Sequence, residues 1–225
     1  RQVYVQALQR RASNPRISDC KKLNLIVRYS KRHKVGIWYE KLVGPVRLVC
    51  WSDAAFKAIP EEGSGLALRG CCVLLTTDQP GKPTSPDGRC QLLEYLCKRQ
   101  RRVVRSTFSA ELNALIDALE IAILIQMAFH QINHGCSESA TEMAQALERG
   151  VLTPAIDAVI DARAVWDAVA AADACTPMEC SLKLHLLSLR DKLTQKILRT
   201  LFWADTRDMV ADGMTKGGVH RKLLT

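Results

Sequence analysis

With 225 residues, 48% of them hydrophobic, the chain is long enough to bury a core and is neither disordered nor fibrous in composition. Lys and Arg number 32 against 23 Asp and Glu, a formal charge of +9 that favours polyanionic partners without naming one. The nine cysteines include no C-x-x-C pair and no zinc-type spacing with histidine, so they read as reduced, mostly buried thiols of an intracellular protein.

Residues 15–34 carry Ile17, Leu23, Ile26 and Val27 at helical spacing among Lys21, Lys22, Arg28, Lys31, Arg32 and Lys34, which predicts a basic amphipathic helix. Gly44-Pro45 breaks the chain. The segment VRLVCWSDA then alternates, with Arg47, Val49, Trp51 and Asp53 on one face, and predicts a strand ending in Asp53. LALRGCCVLLTT, a turn rich in Pro, Gly and Asp, and QLLEYLCKRQ complete an antiparallel meander of three strands.

In VVRSTFSAELNALIDAL, capped by Ser106 or Thr107, a helix places Leu112, Leu115, Leu119, Ile123 and Gln126 on one stripe and Asn113, Asp117 and Glu120 opposite. Glu111 falls beside Leu115, Ala118 and Ala122, on the side expected to face the core. The longest apolar stretch, Ala118 to Phe129, contains Glu120 and Gln126 and falls short of a membrane span. Residues 130–150 are polar, with a helical ALERGV segment. TPAIDAVIDA predicts a fourth strand, RAVWDAVAAADA a helix, residues 179–200 a long amphipathic helix, LRTLFWA a fifth strand, and DMVADGMTK the start of a last helix. This order of elements implies an α/β mixed sheet with helices packed on it.

Four acids stand at the ends of these elements: Asp53, Glu111, Asp161 and Asp212. If the first and fourth strands run parallel, Asp53 and Asp161 lie side by side at the carboxyl end of the sheet, where sites in α/β proteins gather. Four carboxylates around one point need cations, and hard oxygen ligands select Mg²⁺ or Mn²⁺; two such ions activate a water and stabilise the leaving oxygen of a phosphodiester. Taken singly, an Asp after a strand is a turn or cap residue as a rule, so the set matters more than any member.

The local strings resemble the ribonuclease H domain at the end of the polyprotein of copia-type LTR retrotransposons. LVCWSDAAF is similar to the family's strand ending in S-D-x-D/A, and YLCKRQRRVVRSTFSAEL to its W-x-S-K-K-Q and S-T-x-E-A-E segments. DARAV at Asp161 resembles D-N-x-x-A, and TRDMVADGMTK the closing T-x-D-Q-x-A-D-x-L-T-K. Ser109, Ala162 and Met209 depart from the acid, Asn and Gln usual there. Upstream, KKLNLIVRYSKRHKVGIWY resembles the family's linker from the reverse transcriptase.

The resemblance implies a ribonuclease H-like fold: a five-stranded mixed sheet, the first three strands antiparallel, the fourth and fifth parallel to the first, with helices on both faces. It divides the chain into a linker over residues 1–44, at the end of a reverse transcriptase, and a ribonuclease H-like domain over 45–225. The implied activity is two-metal endonucleolytic cleavage of the RNA strand of an RNA/DNA hybrid. Asp53, Glu111, Asp161 and Asp212 would be both catalytic residues and ligands of two Mg²⁺ ions, with Mn²⁺ an acceptable substitute, and Glu111 would lie near the 2′-OH. Lys98, Arg99, Arg101, Arg102 and Arg105 are the expected phosphate contacts.

The implied partners are the hybrid and the upstream reverse transcriptase, with no membrane. The implied location is intracellular: the cytoplasm, in virus-like particles, or the nucleus. A chain beginning at Arg1 rather than Met reads as part of a longer polyprotein. Two other readings stand beside this one. One is a catalytically inactive module of the same fold that positions a hybrid. The other is a transposase or integrase core, which needs a late Glu such as Glu179, although the surrounding TPMECSL carries no such signature.

Overall fold

Strand β1, Val46–Ala55, forms where alternating apolar residues let both faces be covered, and the computed structural model buries eight of its ten positions. The structure describes residues 2–9, 12–34, 36–56, 67–79, 81–82, 89–100, 104–135, 139–171 and 180–216. β1 pairs antiparallel with β2 (Leu68–Thr77), β2 pairs antiparallel with β3 (Cys90–Arg99), and β1 pairs parallel with β4 (Ala155–Ile160), itself parallel to β5 (Thr200–Trp203). The order across the sheet is β3-β2-β1-β4-β5, with the directions expected from sequence.

One face carries the larger core. Leu48, Cys50, Val73, Leu75, Ile156, Ala158 and Ile160 meet α3 (Thr107–His134), α5 (Arg163–Ala170) and α6 (Ser181–Thr194). The predicted stripe of α3 is buried as a unit, and its last member, Gln126, donates Nε2 to the carbonyls of Leu152 and Pro154 at 3.2 and 2.9 Å, tying the helix to the entry of β4. The opposite face is thinner: Val49, Trp51, Cys72 and Val159 are covered by Met209 and Ala211. These two residues flank a 3-10 turn (Thr206–Asp208) and a four-residue helix, α7 (Asp212–Thr215).

Several boundaries differ from expectation for identifiable reasons. β1 runs past Asp53 to Ala55, because pairing with β2 continues to Leu68. α3 reaches His134, well into the stretch read as polar, because His130 is buried and accepts from the Thr153 amide at Nδ1. At 28 residues α3 is long and apolar enough to cross a membrane by length and composition, contrary to the shorter stretch read from sequence; its buried stripe faces the sheet, as in a core helix. α6 stops at Thr194 rather than 200, where Lys196 takes φ 62° and the Leu198 amide donates back to the Lys192 carbonyl. Residues 140–148 form a full helix, α4, with a Ser139/Glu142 capping box.

The basic helix is present as α2 (Ile17–Arg32), preceded by an unanticipated α1 (Gln2–Gln9) that packs against β3 and α7. The Tyr39 hydroxyl donates to the Leu92 carbonyl, so the segment before β1 also lies along the edge of the sheet. Of the seven described cysteines, Cys50, Cys71, Cys72 and Cys97 are buried, Cys20, Cys90 and Cys180 are exposed, and none is in a disulfide.

The amino end of the parallel pair is closed by charge. Arg47, fully buried, donates to Asp157 Oδ2 at 2.9 Å; Arg199 holds the same carboxylate at 2.6 and 3.0 Å and forks onto Asp78 at 2.9 and 3.0 Å. Four segments of chain are thereby linked: β1, β4, the exit of β2 and the entry of β5. Asp157→Ala leaves the Arg47 guanidinium buried without its carboxylate and is expected to cost about 3–5 kcal/mol. Equilibrium urea unfolding measures it.

Candidate active site

The register that pairs Trp51 with Val159 carries Asp53 and Asp161, two residues further along each chain, to neighbouring positions at the carboxyl end of the sheet. Asp53 is buried inside β1, and Asp161 is half-buried just beyond β4. The Asp161 turn is held from behind, since its carbonyl accepts from Trp203 Nε1 at 3.0 Å and the Arg163 guanidinium lies over the Trp203 and Trp166 rings. Ala162 caps α5 without a side-chain hydrogen bond, where the resemblance has an Asn.

Glu111 comes to the same point from above the sheet. Ser106 caps α3 by accepting from the Ser109 amide at 3.1 Å, and Ser109 returns a bond to the Ser106 backbone, so the residue that replaces a family acid completes a capping box. Ala110 and Ala114 then pack against Ala54 and Ala67, and these small contacts let the first turns of α3 lie close to β1. Glu111 is left facing inward, with the Ala54 amide donating to it. One carboxylate oxygen each from Asp53, Glu111 and Asp161 lies within 4.8 Å of the others.

The electrostatics are those of crowded acids. Burial, reinforced by the charges of Asp53 and Asp161, pushes Glu111 up to about 9 against the opposing Ala54 amide and Lys216. Burial also lifts Asp53 to about 6, helped by Asp212 and Asp161 and resisted by the Thr215 hydroxyl and Lys216. Three oxygens this close, at a cost the fold carries without neutralising all of it, suit one hard divalent cation.

Asp212 arrives differently from expectation. It is buried at the start of α7 and close enough to raise Asp53, but it does not join the group of three; its Oδ1 is held by Lys216 Nζ at 2.7 Å. Of the other acids in the closing segment, Asp208 is exposed in the 3-10 turn, and Asp205 caps that turn by accepting from the Arg207 amide and pairs with the Arg207 guanidinium. Two further contributors are not carboxylates and are absent from the expected site residues: Thr215, whose hydroxyl donates to Asp53 Oδ2, and Lys216. Both sit in the GMTK string beside Asp212, and that string was the available signal.

Gly70 explains how α7 gets so close. It pairs with Asp53 in register, and a Cβ there would sit 2.7 Å from both Met214 Cβ and Thr215 Cγ2. Among the proposed phosphate contacts, Lys98 and Arg105 are exposed and Arg99 is half-buried, while Arg101 and Arg102 lie outside the described residues, as does Glu179. The register running Asp53, Gly70, Cys97 puts Lys98 and Arg99 at the same end of the sheet as the acids.

A five-stranded sheet in this order, antiparallel through its first three strands and parallel through its last two, with acids at the carboxyl ends of the central pair, defines an α/β protein of the ribonuclease H-like fold. No protein-family model matches the sequence, and no curated protein does. Solved structures similar to it include LC11-RNase H1 in complex with RNA/DNA hybrid, at 13% identity over 77% of this chain and 96% of that one, with a TM-score of 0.45. The N-terminal RNase H domain of a Mycobacterium tuberculosis protein is 14% identical over 76% and 92%, with a TM-score of 0.42. RNase H1 from the archaeon Halobacterium salinarum is 17% identical over 75% and 93%, with a TM-score of 0.42.

Two measurements check this geometry. Because Asp53 and Glu111 hold protons in the folded chain at pH values where the unfolded chain has lost them, stability without metal falls as pH rises from the ordinary range of 3.8–4.5 to about 9. Urea unfolding across that range is expected to show the decline, with excess Mg²⁺ flattening it. Gly70→Ala forces α7 away from β2, is expected to destabilise by about 1–3 kcal/mol, and weakens Mn²⁺ binding, which calorimetric titration reads.

Proposed function

We propose that this protein is an endonuclease that hydrolyses the RNA strand of RNA/DNA hybrids. The observation that carries the reading is the convergence of Asp53, Glu111 and Asp161 at the carboxyl end of β1 and β4, with Asp212 next to them, in the chain order of the motifs they sit in. Asp53, Glu111 and Asp161 would hold one Mg²⁺, and Asp212 with Asp53 would serve a second. Bound there, such ions supply an activated water and neutralise the charge on the departing 3′ oxygen.

The chain's own part is positional. β1 and β4 fix the two aspartates in register, the Thr215 hydroxyl orients Asp53, and the Ala54 amide orients Glu111 towards the site where the 2′-OH of a ribose would lie. Lys98 and Arg99 supply positive charge at the same end for the phosphates of the hybrid, and Arg105, exposed before α3, is a further contact, as by sequence are Arg101 and Arg102. In the wider context we place residues 45–225 as the ribonuclease H domain of a copia-type retrotransposon polyprotein. Residues 1–44 are then the linker from its reverse transcriptase, and the site of action is the cytoplasmic particle or the nucleus.

The test is a labelled RNA/DNA hybrid incubated with the full chain and Mg²⁺. Cleavage of the RNA strand is expected, and Asp161→Asn is expected to lower the rate about 100-fold or more while leaving the fold intact by circular dichroism. Cleavage undiminished by that substitution would remove Asp161 from the mechanism. A wild-type chain that binds the hybrid without cutting it would instead be the inactive positioning module.

A further inference from the structure

Lys216 is a cation built into an anionic site. Its Nζ lies 2.7 Å from Asp212 Oδ1, on a residue adjacent to the Thr215 that hydrogen-bonds Asp53. The side chain is 43% exposed although its carboxylate partner is only 4% exposed, so the ammonium can leave towards solvent while Asp212 cannot. Asp212 is also the one acid of the four that stands outside the group of three. The positive charge of Lys216 is felt by Asp53 and by Glu111, lowering both, so it acts across the centre rather than on Asp212 alone.

We propose that Lys216 is a tethered counter-cation that occupies the outer ion position of the site, beside Asp212, so that the resting protein takes one divalent ion and admits a second only when this side chain swings out. The inference rests on the metal-centre reading above and adds a gate to it. The physical basis is competition for one carboxylate: an ammonium in contact with Asp212 satisfies the charge that would otherwise draw a metal, and both cannot sit there at once. Asp53, Glu111 and Asp161 keep an ion site of their own. A positioning residue of this kind sets the divalent concentration at which the second ion arrives without touching the reacting atoms.

The experiment counts ions rather than products. The full chain is titrated with Mn²⁺ in the absence of hybrid, with free ion followed by electron paramagnetic resonance and bound pairs recognised by the exchange-coupled spectrum of two neighbouring Mn²⁺. Wild type is expected to bind about one ion and to show no coupled pair; Lys216→Gln is expected to bind about two and to show the pair; Lys216→Arg, which keeps the charge, is expected to behave as wild type. Thermal melting confirms that each variant folds, and the half-exposed position of the side chain makes both substitutions mild. A Lys216→Gln chain that still binds one ion overturns the proposal, as does a wild type that already binds a coupled pair, and in both cases the metal centre itself stands. Absence of Mn²⁺ binding in all three chains overturns the metal-centre reading and the gate with it.

Discussion

The parallel register of β1 and β4 is the constraint on which the rest of this structure depends, and it is held at one end by buried charge. Arg47 reaches across to Asp157, and Arg199 closes on the same carboxylate while bracing Asp78. A shift of one residue would turn every side chain of β4 to the opposite face and take the Asp157 carboxylate away from the buried Arg47. The same register, followed to the other end of the strands, sets Asp53 beside Asp161. A matched set of charges at one end thus secures an unmatched set at the other.

The unmatched end is built by close approach. Alanines at the head of α3 bring Glu111 down onto β1, and Gly70 lets α7 settle on β2 so that Thr215 and Asp212 reach the centre. None of these small residues carries chemistry. They remove the volume that would keep charged groups apart, and the raised proton affinities of Asp53 and Glu111 follow from that crowding.

Much of this was legible in the sequence because two periodicities coincide with burial. Alternation marked β1 and set Arg47 on the face of Asp53; the helical stripe marked α3 and showed Glu111 turned inward. The acids could be picked out as a set, because four of them stand at element ends within strings that resemble one family's motifs in the same order. Thr215 and Lys216 were passed over because a threonine and a lysine in a short polar string look like solvated surface until the close packing over Gly70 is known. The reach of α3 to His134 and the stop of α6 at Thr194 depended on a buried histidine and a left-handed Lys196, which are tertiary facts. α1 packs against β3 and α7, contacts that no pattern within residues 2–9 specifies.

The hydrogen bond from Thr215 to Asp53 joins residues 162 positions apart in the chain. Loop closure over such a separation is slow, and nothing local rewards it until the intervening sheet is already in place. The meander of β1, β2 and β3 can form early from neighbouring segments, whereas the acid centre needs β4 inserted beside β1 and then α7 laid over both. A chain that has paired only β1, β2 and β3 therefore lacks the site. The acid centre is thus a property of the whole arrangement of β1, β4, α3 and α7 and of no local segment.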